Sequence, residues 1–326
     1  MVAVVGGLVA LVVLCVVALR VGAFPITWHE FFHAFLHGTG TYTDQILLDQ
    51  RAPEVLLAVL VGAALAVAGA VMQGLSHNPL ADAGILGITQ GASLFVVVGM
   101  AYGGAASYVS FVWWALPGAF LGVMFGYGLM LAGRGRVTPL KMTLAGVITG
   151  SILGSITEII VFLNPQLQLS YVFWATGDVD GRNMAVVYAT GPFILVGVFI
   201  AVPLGRALNG LGLGEDVARA LGQRVERTRA ACLVATVLLA GAAVAAAGPI
   251  GFIGLAAPTC VRTMIGNDYR WILPLSAVYG AVFLVVADII SRVVWAPFVI
   301  PSGLVMAVIG VPVFMFLVSR AKLVTV

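Results

Sequence analysis

"GAALAVAG" at residues 62–69 returns as "GAAVAAAG" at residues 241–248, with six of eight positions identical and the copies 179 residues apart. A proline follows each copy at one common offset, Pro79 after the first and Pro258 after the second. Such small residues let helix backbones approach closely in lipid, where apolar association gains nothing from the solvent. The rest of the chain supplies that setting. Of its 326 residues, 61% are hydrophobic and 9% charged, against roughly 25% charged in a soluble domain, and the mean hydropathy is +1.11. A net charge of +3, scattered along the chain, argues against a nucleic-acid partner. Cys15, Cys232 and Cys260 all sit in apolar runs and read as small buried hydrophobes rather than a disulfide framework.

An α-helix needs roughly 20 apolar residues to cross the hydrocarbon core. Ten runs approach that length, at about 2–22, 52–75, 85–102, 109–132, 139–163, 185–206, 229–247, 251–265, 270–294 and 302–320. The third and eighth are short and glycine-rich. The first lacks the basic flank and small-residue cleavage pattern of a secretory signal, so it reads as a retained helix. The expectation is an all-α polytopic membrane protein of about ten transmembrane helices, a single domain over residues 1–326.

An even number of spans puts both termini on one side. If that side is the cytoplasm, its loops and ends hold Arg134, Arg136, Lys141, Arg206, Arg219, Arg224, Arg227, Arg229, Arg262, Arg270, Arg320 and Lys322. The other side holds only Arg20, Arg51, Arg182 and Arg292. The positive-inside rule therefore predicts cytoplasmic termini in a cell membrane. The octets fall on the second and seventh spans, five apart, and so run in opposite directions. That is the pattern of an inverted repeat, transmembrane helices 2–5 against 7–10, which suits alternating access.

After each octet the helix is expected to break. "QGLSHNPLADAGILGITQGAS" (73–93) breaks at Asn78-Pro79 and restarts near Gly84 to Gly87, and "GPIGFIGLAAPTCVR" (248–262) breaks at Gly248-Pro249. Broken backbone at membrane depth is tolerated where protein or a water-lined cavity covers it. Gln73, Asn78, Pro79, Gly248, Pro249 and Pro258 are accordingly the expected pathway residues.

These stretches resemble the signatures of the iron-siderophore, haem and vitamin B12 permease family of ATP-binding-cassette importers. So do "LPLSAVYGAVFLVVADIISRVV" (273–294), "PSGLVMAVIGVPVFMFLV" (301–318) and "GEDVARALG" (214–222), in the family's order from about residue 51 onwards. The resemblance implies a non-catalytic permease subunit. Its implied partners are a second permease chain, the same or homologous, two ATPase subunits and an extracytoplasmic substrate-binding protein. No cofactor is expected in this chain, ATP and Mg²⁺ lying on the ATPase, and no metal site.

The charged segment 208–229 offers a short helix. Glu215 and Asp216 suit a helix N-terminus, Val217 and Leu221 lie four apart, and Gly222 can end it. GxGxxG fails at the third glycine and GxxxxGK[ST] occurs nowhere, so nucleotide binding by this chain is not indicated. In the resembling family this is the ATPase-coupling element, which implies that role for Glu215, Asp216, Ala218, Arg219, Leu221 and Gly222.

Arg51 and Arg292 lie where the family's arginines meet carboxylates of the binding protein. The family's Arg-Leu-Pro-Arg is here "RAPE", with Glu54 at the second arginine. Docking is then altered, or a non-identical partner subunit supplies the missing charge. Asp288, four residues before Arg292, can pair with it on a helix. Glu158 is a further ionisable residue within a span, placed near its outer end. His29, His33 and His37 recur every four residues on one helical face; an interfacial helix is the expectation, with metal or haem contact the alternative.

The cargo expected is a ferric siderophore, because "WATGDVDGRN" (174–183) resembles the W-x-x-G-S-L-x-G-R-x-W of siderophore members. Asp178 replaces the serine and Met184 the second tryptophan, which leaves haem and cobalamin open. An ion-coupled secondary transporter is the competing class. It would want buried ionisable groups near mid-membrane, whereas this chain places its few near helix ends. A membrane enzyme would want clustered His, Asp or Glu at one depth.

Overall fold

The computed structural model describes residues 2–22, 26–37, 40–132, 139–296 and 298–320. Among them there is no strand. The helices are α1 (Val2–Arg20), α2 (Trp28–His37), α3 (Tyr42–Gln45), α4 (Ala52–Ser76), α5 (Ile88–Tyr102), α6 (Tyr108–Ala132), α7 (Pro139–Leu163) and α8 (Pro165–Ala175). They continue with α9 (Met184–Ala201), α10 (Gly205–Leu211), α11 (Glu215–Ala220), α12 (Val225–Ala247), α13 (Ile253–Ile265), α14 (Tyr269–Val293) and α15 (Ser302–Arg320). All ten apolar runs fall on helices. Among the described residues, seven helices are long and apolar enough to cross a membrane, and α5, α13 and the described part of α15 are shorter apolar helices. Arg134, Arg136 and Lys322, part of the charge asymmetry, lie outside the described residues, as does the side chain of Arg320.

The second span begins ten residues earlier than its apolar run, because α3 and a π-helical stretch (Ile46–Arg51) lead into α4 as one continuous span, Tyr42–Ser76. Thr41 and Asp44 form a capping box that starts it. Pro53 has no N–H to give back to the preceding turn, and the ladder widens there, the Ala52 N–H reaching Leu47 O. Helix α8 has no counterpart among the predicted spans. Asn164 turns the chain into it, its side-chain amide donating to Ile160 O at 2.8 Å.

Helix α4 is the hub, packed on α14, α12, α13 and α9. In the most apolar window of its span 78% of residues are buried, against 17% for α7. The octet's terminal glycines explain the contacts. A Cβ on Gly62 would lie 2.8 Å from the carbonyl carbon of Gly280 on α14. One on Gly69 would lie 2.6 Å from the carbonyl carbon of Gly254 on α13. Real Cβ atoms essentially never come that close, so the first contact needs glycine on both helices and the second needs it at Gly69.

The two octets do not occupy equivalent places. α12 ends at Ala247, within the second copy, whereas α4 runs on from Gly69 to Ser76. Pro249 follows the second copy directly and cannot continue the hydrogen-bond ladder, while the first copy meets no proline before Pro79. Pro258, expected at a break, instead lies buried inside α13. The proline spacing therefore corresponds in sequence, but only Pro79 of that pair sits at a helix end.

Candidate functional site

The first break begins at His77, where φ 50° and ψ 29° put a non-glycine residue in the left-handed region. Asn78 then forms a tight turn around Pro79: its side-chain oxygen accepts from the Leu80 N–H at 2.9 Å, and its carbonyl accepts from Ala81 N–H at 3.0 Å. A short 3₁₀ turn (Ala83–Leu86) and Gly87, φ 80°, lead into α5. The second break runs from Gly248, φ 76°, through Pro249 to Phe252, φ 67°, where α13 starts. His77 and Phe252 are the two non-glycine residues with positive φ among the described residues, one at each break. Left-handed backbone costs about 1–2 kcal/mol per such residue, so the folding energy of the bundle maintains strain at both breaks.

The two breaks meet at a cavity of about 530 Å³. Asp82 and Gly84 come from the first break, Thr89 and Gln90 from the start of α5, and Pro249, Ile250 and Gly251 from the second break. Helix α7 closes one side with a small and polar face including Thr143, Gly150 and Ser151. The polar part of the lining is thus hydroxyl, amide and backbone, with one carboxylate and, among the described residues, no Lys, Arg or His; Val147, Pro249 and Ile250 supply apolar surface beside it. Gln90 Oε1 is buried without a partner among the described residues, an acceptor left without a donor at the cavity. Gly254 needs its lack of a side chain here, since Asp82 Oδ1 fills the place of its Cβ.

Of the predicted pathway residues, Pro249 lines this cavity. Gln73 is buried behind it, donating to Gly254 O at 3.2 Å and accepting from Arg262 Nη1. Gly248 packs against Trp174 O and Gly177, while Asn78 and Pro79 form the turn but are not part of the lining. Asp82, Thr89, Gln90 and the α7 face were not singled out from sequence. The α7 face had a signal: Thr143, Gly146, Gly150, Ser151 and Gly154 follow one another at helical spacing in a run that is aliphatic apart from them and Thr149.

Helix α11 begins at Glu215, ends at Ala220, and is followed by Gly222 at φ 82°, as its residues predict. Arg219 lies 3.5 Å from Glu215, 3.7 Å from Asp216 and 3.4 Å from Glu226, and Arg229 also bonds Glu215. Ala218 is buried against the bundle. Val217 and Leu221 are 46% and 71% exposed, an apolar pair standing out from a charged collar. At the start of α14, the Asn209 amide donates to Asp268 at 2.6 Å and the Arg270 N–H donates at 3.0 Å. These donors hold the Asp268 carboxyl below its usual range.

Arg51 and Arg292 are each only 6% exposed. Arg51 donates to Leu19 O at 3.0 Å and lies against Gly22. Arg292 donates through Nε and Nη2 to Asp288, and Glu54 Oε2 stands 3.5 Å from its Nη1. Glu54 also accepts from the Gly181 N–H at 3.1 Å. The "RAPE" departure therefore turns Arg292 inward between two carboxylates, and its guanidinium is committed within the chain. Asp178, a further departure, accepts from the Ser302 N–H at 3.1 Å and so caps α15. Arg182 is buried with its guanidinium 3.3 Å over the Tyr108 ring.

On α2, Glu30 accepts from the Thr27 hydroxyl at 2.7 Å and backbone N–H at 2.9 Å, which lowers its pKa. His33 stands 3.5 Å from Asp44, and the rings of His29 and His33 stack at 6.4 Å; the side chain of His37 lies outside the described residues. Glu158 is exposed on α7 beside a second cavity of about 410 Å³ shared with Gln168 and Tyr171.

The model of the FecCD transport family matches residues 10–320. The "Probable siderophore transport system permease protein YfiZ" of Bacillus subtilis is 42% identical over 91% of this chain and 90% of its own length. The "Ferric enterobactin transport system permease protein FepD" of Escherichia coli is 39% identical over 98% and 95%. A solved ABC transporter, assigned to the metal-chelate type and in an inward-facing conformation, superposes with a TM-score of 0.86 at 25% identity, covering 97% of this chain and 98% of that one. A bundle of apolar helices broken at two strained points around a shared cavity, with this span of matched sequence, belongs to the FecCD transport family.

Proposed function

We propose that the chain is the membrane-spanning permease subunit of an ATP-driven importer of ferric siderophores, working by alternating access. One observation carries the reading: the two broken helices present backbone, neutral polar groups and the Asp82 carboxyl to one cavity, and α7, which lines it, is otherwise little buried by the chain. A second permease subunit against α7 would complete a central path. In this reading α5, α13 and α15 also cross, making ten spans in one domain with an inverted repeat and both termini in the cytoplasm. The chain itself is non-catalytic and carries no cofactor, ATP and Mg²⁺ being held by two ATPase subunits.

The exposed Val217 and Leu221 on a helix whose charges are tied to one another support α11 as the ATPase contact, with Glu215, Asp216, Arg219 and Gly222 shaping it and Ala218 anchoring it. Docking of the binding protein is proposed for the end that holds Arg51 and Arg292. Their burial makes them organisers of that surface rather than its outermost cations.

The test is uptake of radiolabelled iron by vesicles containing the complex, with ferric citrate, a ferric hydroxamate and a ferric catecholate compared with haem and cobalamin. ATP-dependent uptake of one ferric chelate supports the reading. Haem or cobalamin uptake would reassign the cargo, and uptake driven by an ion gradient without ATP would overturn the class.

A further inference from the structure

Two hydrogen-bonded routes leave the α10–α11 segment, and each ends at a different break. The first is short. His77 Nε2 lies 2.9 Å from Leu211 O, and the same carbonyl accepts from the N–H of Gly214 at 2.9 Å, the residue that caps α11. A carbonyl can only accept, so Nε2 carries the proton, and the bond forms in both the neutral Nε2–H tautomer and the imidazolium. His77 is also the left-handed residue that opens the first break. The Leu211 carbonyl thus joins the residue that caps α11 to the residue at which α4 stops.

The second route is longer. Asn209 on α10 donates to Asp268 Oδ1 at 2.6 Å and accepts from the Tyr269 N–H at 2.9 Å, gripping the start of α14. The Tyr269 hydroxyl accepts from Arg262 Nη2 at 2.8 Å, Arg262 Nη1 donates to Gln73, and Gln73 donates to Gly254 O at 3.2 Å. Gly254 stands two residues beyond Phe252, the left-handed residue of the second break.

We propose that His77, and separately the Asn209–Tyr269–Arg262–Gln73 chain, are positioning residues that carry displacement of the α10–α11 segment to the two helix breaks. The proposal rests on reading that segment as the ATPase contact. The breaks are suited to receive such displacement because each holds a strained residue with two packed helices on either side, which favours rearrangement over continuous bending.

The experiment is hydrogen–deuterium exchange on the complex purified with its ATPase in nanodiscs, nucleotide-free against ATP with vanadate. In the wild type, exchange in 77–87 and in 248–254 should change by about fivefold between the two states. His77→Gly keeps a residue at ease with the left-handed backbone and removes the side chain. It should abolish the nucleotide response in 77–87 and leave that in 248–254. Tyr269→Phe keeps the ring and removes the hydroxyl, and should do the reverse, with Asn209→Ala as a second break in the same route.

A merely structural role would raise exchange equally in both nucleotide states, which overturns the proposal. So would variants that keep both responses or lose both together. A wild-type complex with no nucleotide response in either break overturns this inference alone, whereas absence of ATP-dependent uptake by the same complex removes the importer reading on which it rests.

Discussion

Gly69→Ala is the sharpest test of how the two breaks are held together. The added Cβ would lie 2.6 Å from the carbonyl carbon of Gly254, and the obstacle is backbone, not a side chain that can swing away. The Gly254 carbonyl oxygen lies closer still, so restoring ordinary contact near 3.4 Å requires α4 and α13 to part by more than about 1 Å. Overpacking of that kind costs about 1–3 kcal/mol. The shift also stretches the 3.2 Å bond from Gln73 to Gly254 O beyond hydrogen-bond range, which costs about 1 kcal/mol more. Against this stands the better helix propensity of Ala over Gly, about 0.8–1 kcal/mol. The net loss expected is about 2 kcal/mol. Gly128→Ala is the matched control, since a Cβ there meets nothing within 4 Å and only the propensity gain remains. Reversible unfolding in mixed micelles, followed by tryptophan fluorescence, should therefore move in opposite directions for the two variants. Equal stability of Gly69→Ala and Gly128→Ala would refute the close-approach argument.

Arg292→Ala strands Asp288 and Glu54 in buried positions and should destabilise the bundle by about 3–5 kcal/mol, with Asp288→Ala in the same chain recovering part of the loss in the same unfolding assay. Glu215→Arg or Gly222→Trp should uncouple ATP hydrolysis from uptake without unfolding the bundle; stimulation of the ATPase by loaded binding protein that stays normal in both would reject α11 as the contact. Replacing His29, His33 and His37 by glutamine should leave iron uptake within about twofold, whereas a tenfold fall with normal binding-protein docking would make α2 a cargo contact. Asp268 has a lowered carboxyl pKa, so its contribution is present above the unfolded value and lost as pH falls through the folded one. Asp268→Asn should flatten the acid limb of the stability–pH curve measured below about pH 4.

Helix existence was legible because lipid demands long apolar runs, and each predicted span falls on a helix. The breaks were legible for a related reason: Asn-Pro and Gly-Pro pairs leave few alternatives to a turn. What could not be read was which residues share the cavity. Asp82 looks like any loop acid until Gly254 is placed against it, 172 residues further along the chain. The same limit applied to Arg51 and Arg292. The family resemblance implied partner-facing cations; within the chain the carboxylate of Glu54 holds Arg292 and the carbonyl of Leu19 holds Arg51, and neither contact has a periodicity to reveal it. Helix α8 was missed because Gln166, Gln168 and Ser170 interrupt its apolar residues, leaving no span-length signal.

The widened turn at Ile46–Arg51 carries one residue more than an α-helix would use over the same height. Each residue of an α-helix turns the face by about 100°, so the register of Tyr42–Gln45 is offset from that of α4 below it. Deleting a single residue between Leu47 and Asp49 would let the span relax into an uninterrupted α-helix. The residues above the deletion would keep their place, Asp44 beside His33 included, because the widened turn alone absorbs the extra residue. The same deletion in the α-helical turns of α4 has no such slack and would rotate everything above it by about 100°, unfastening α2.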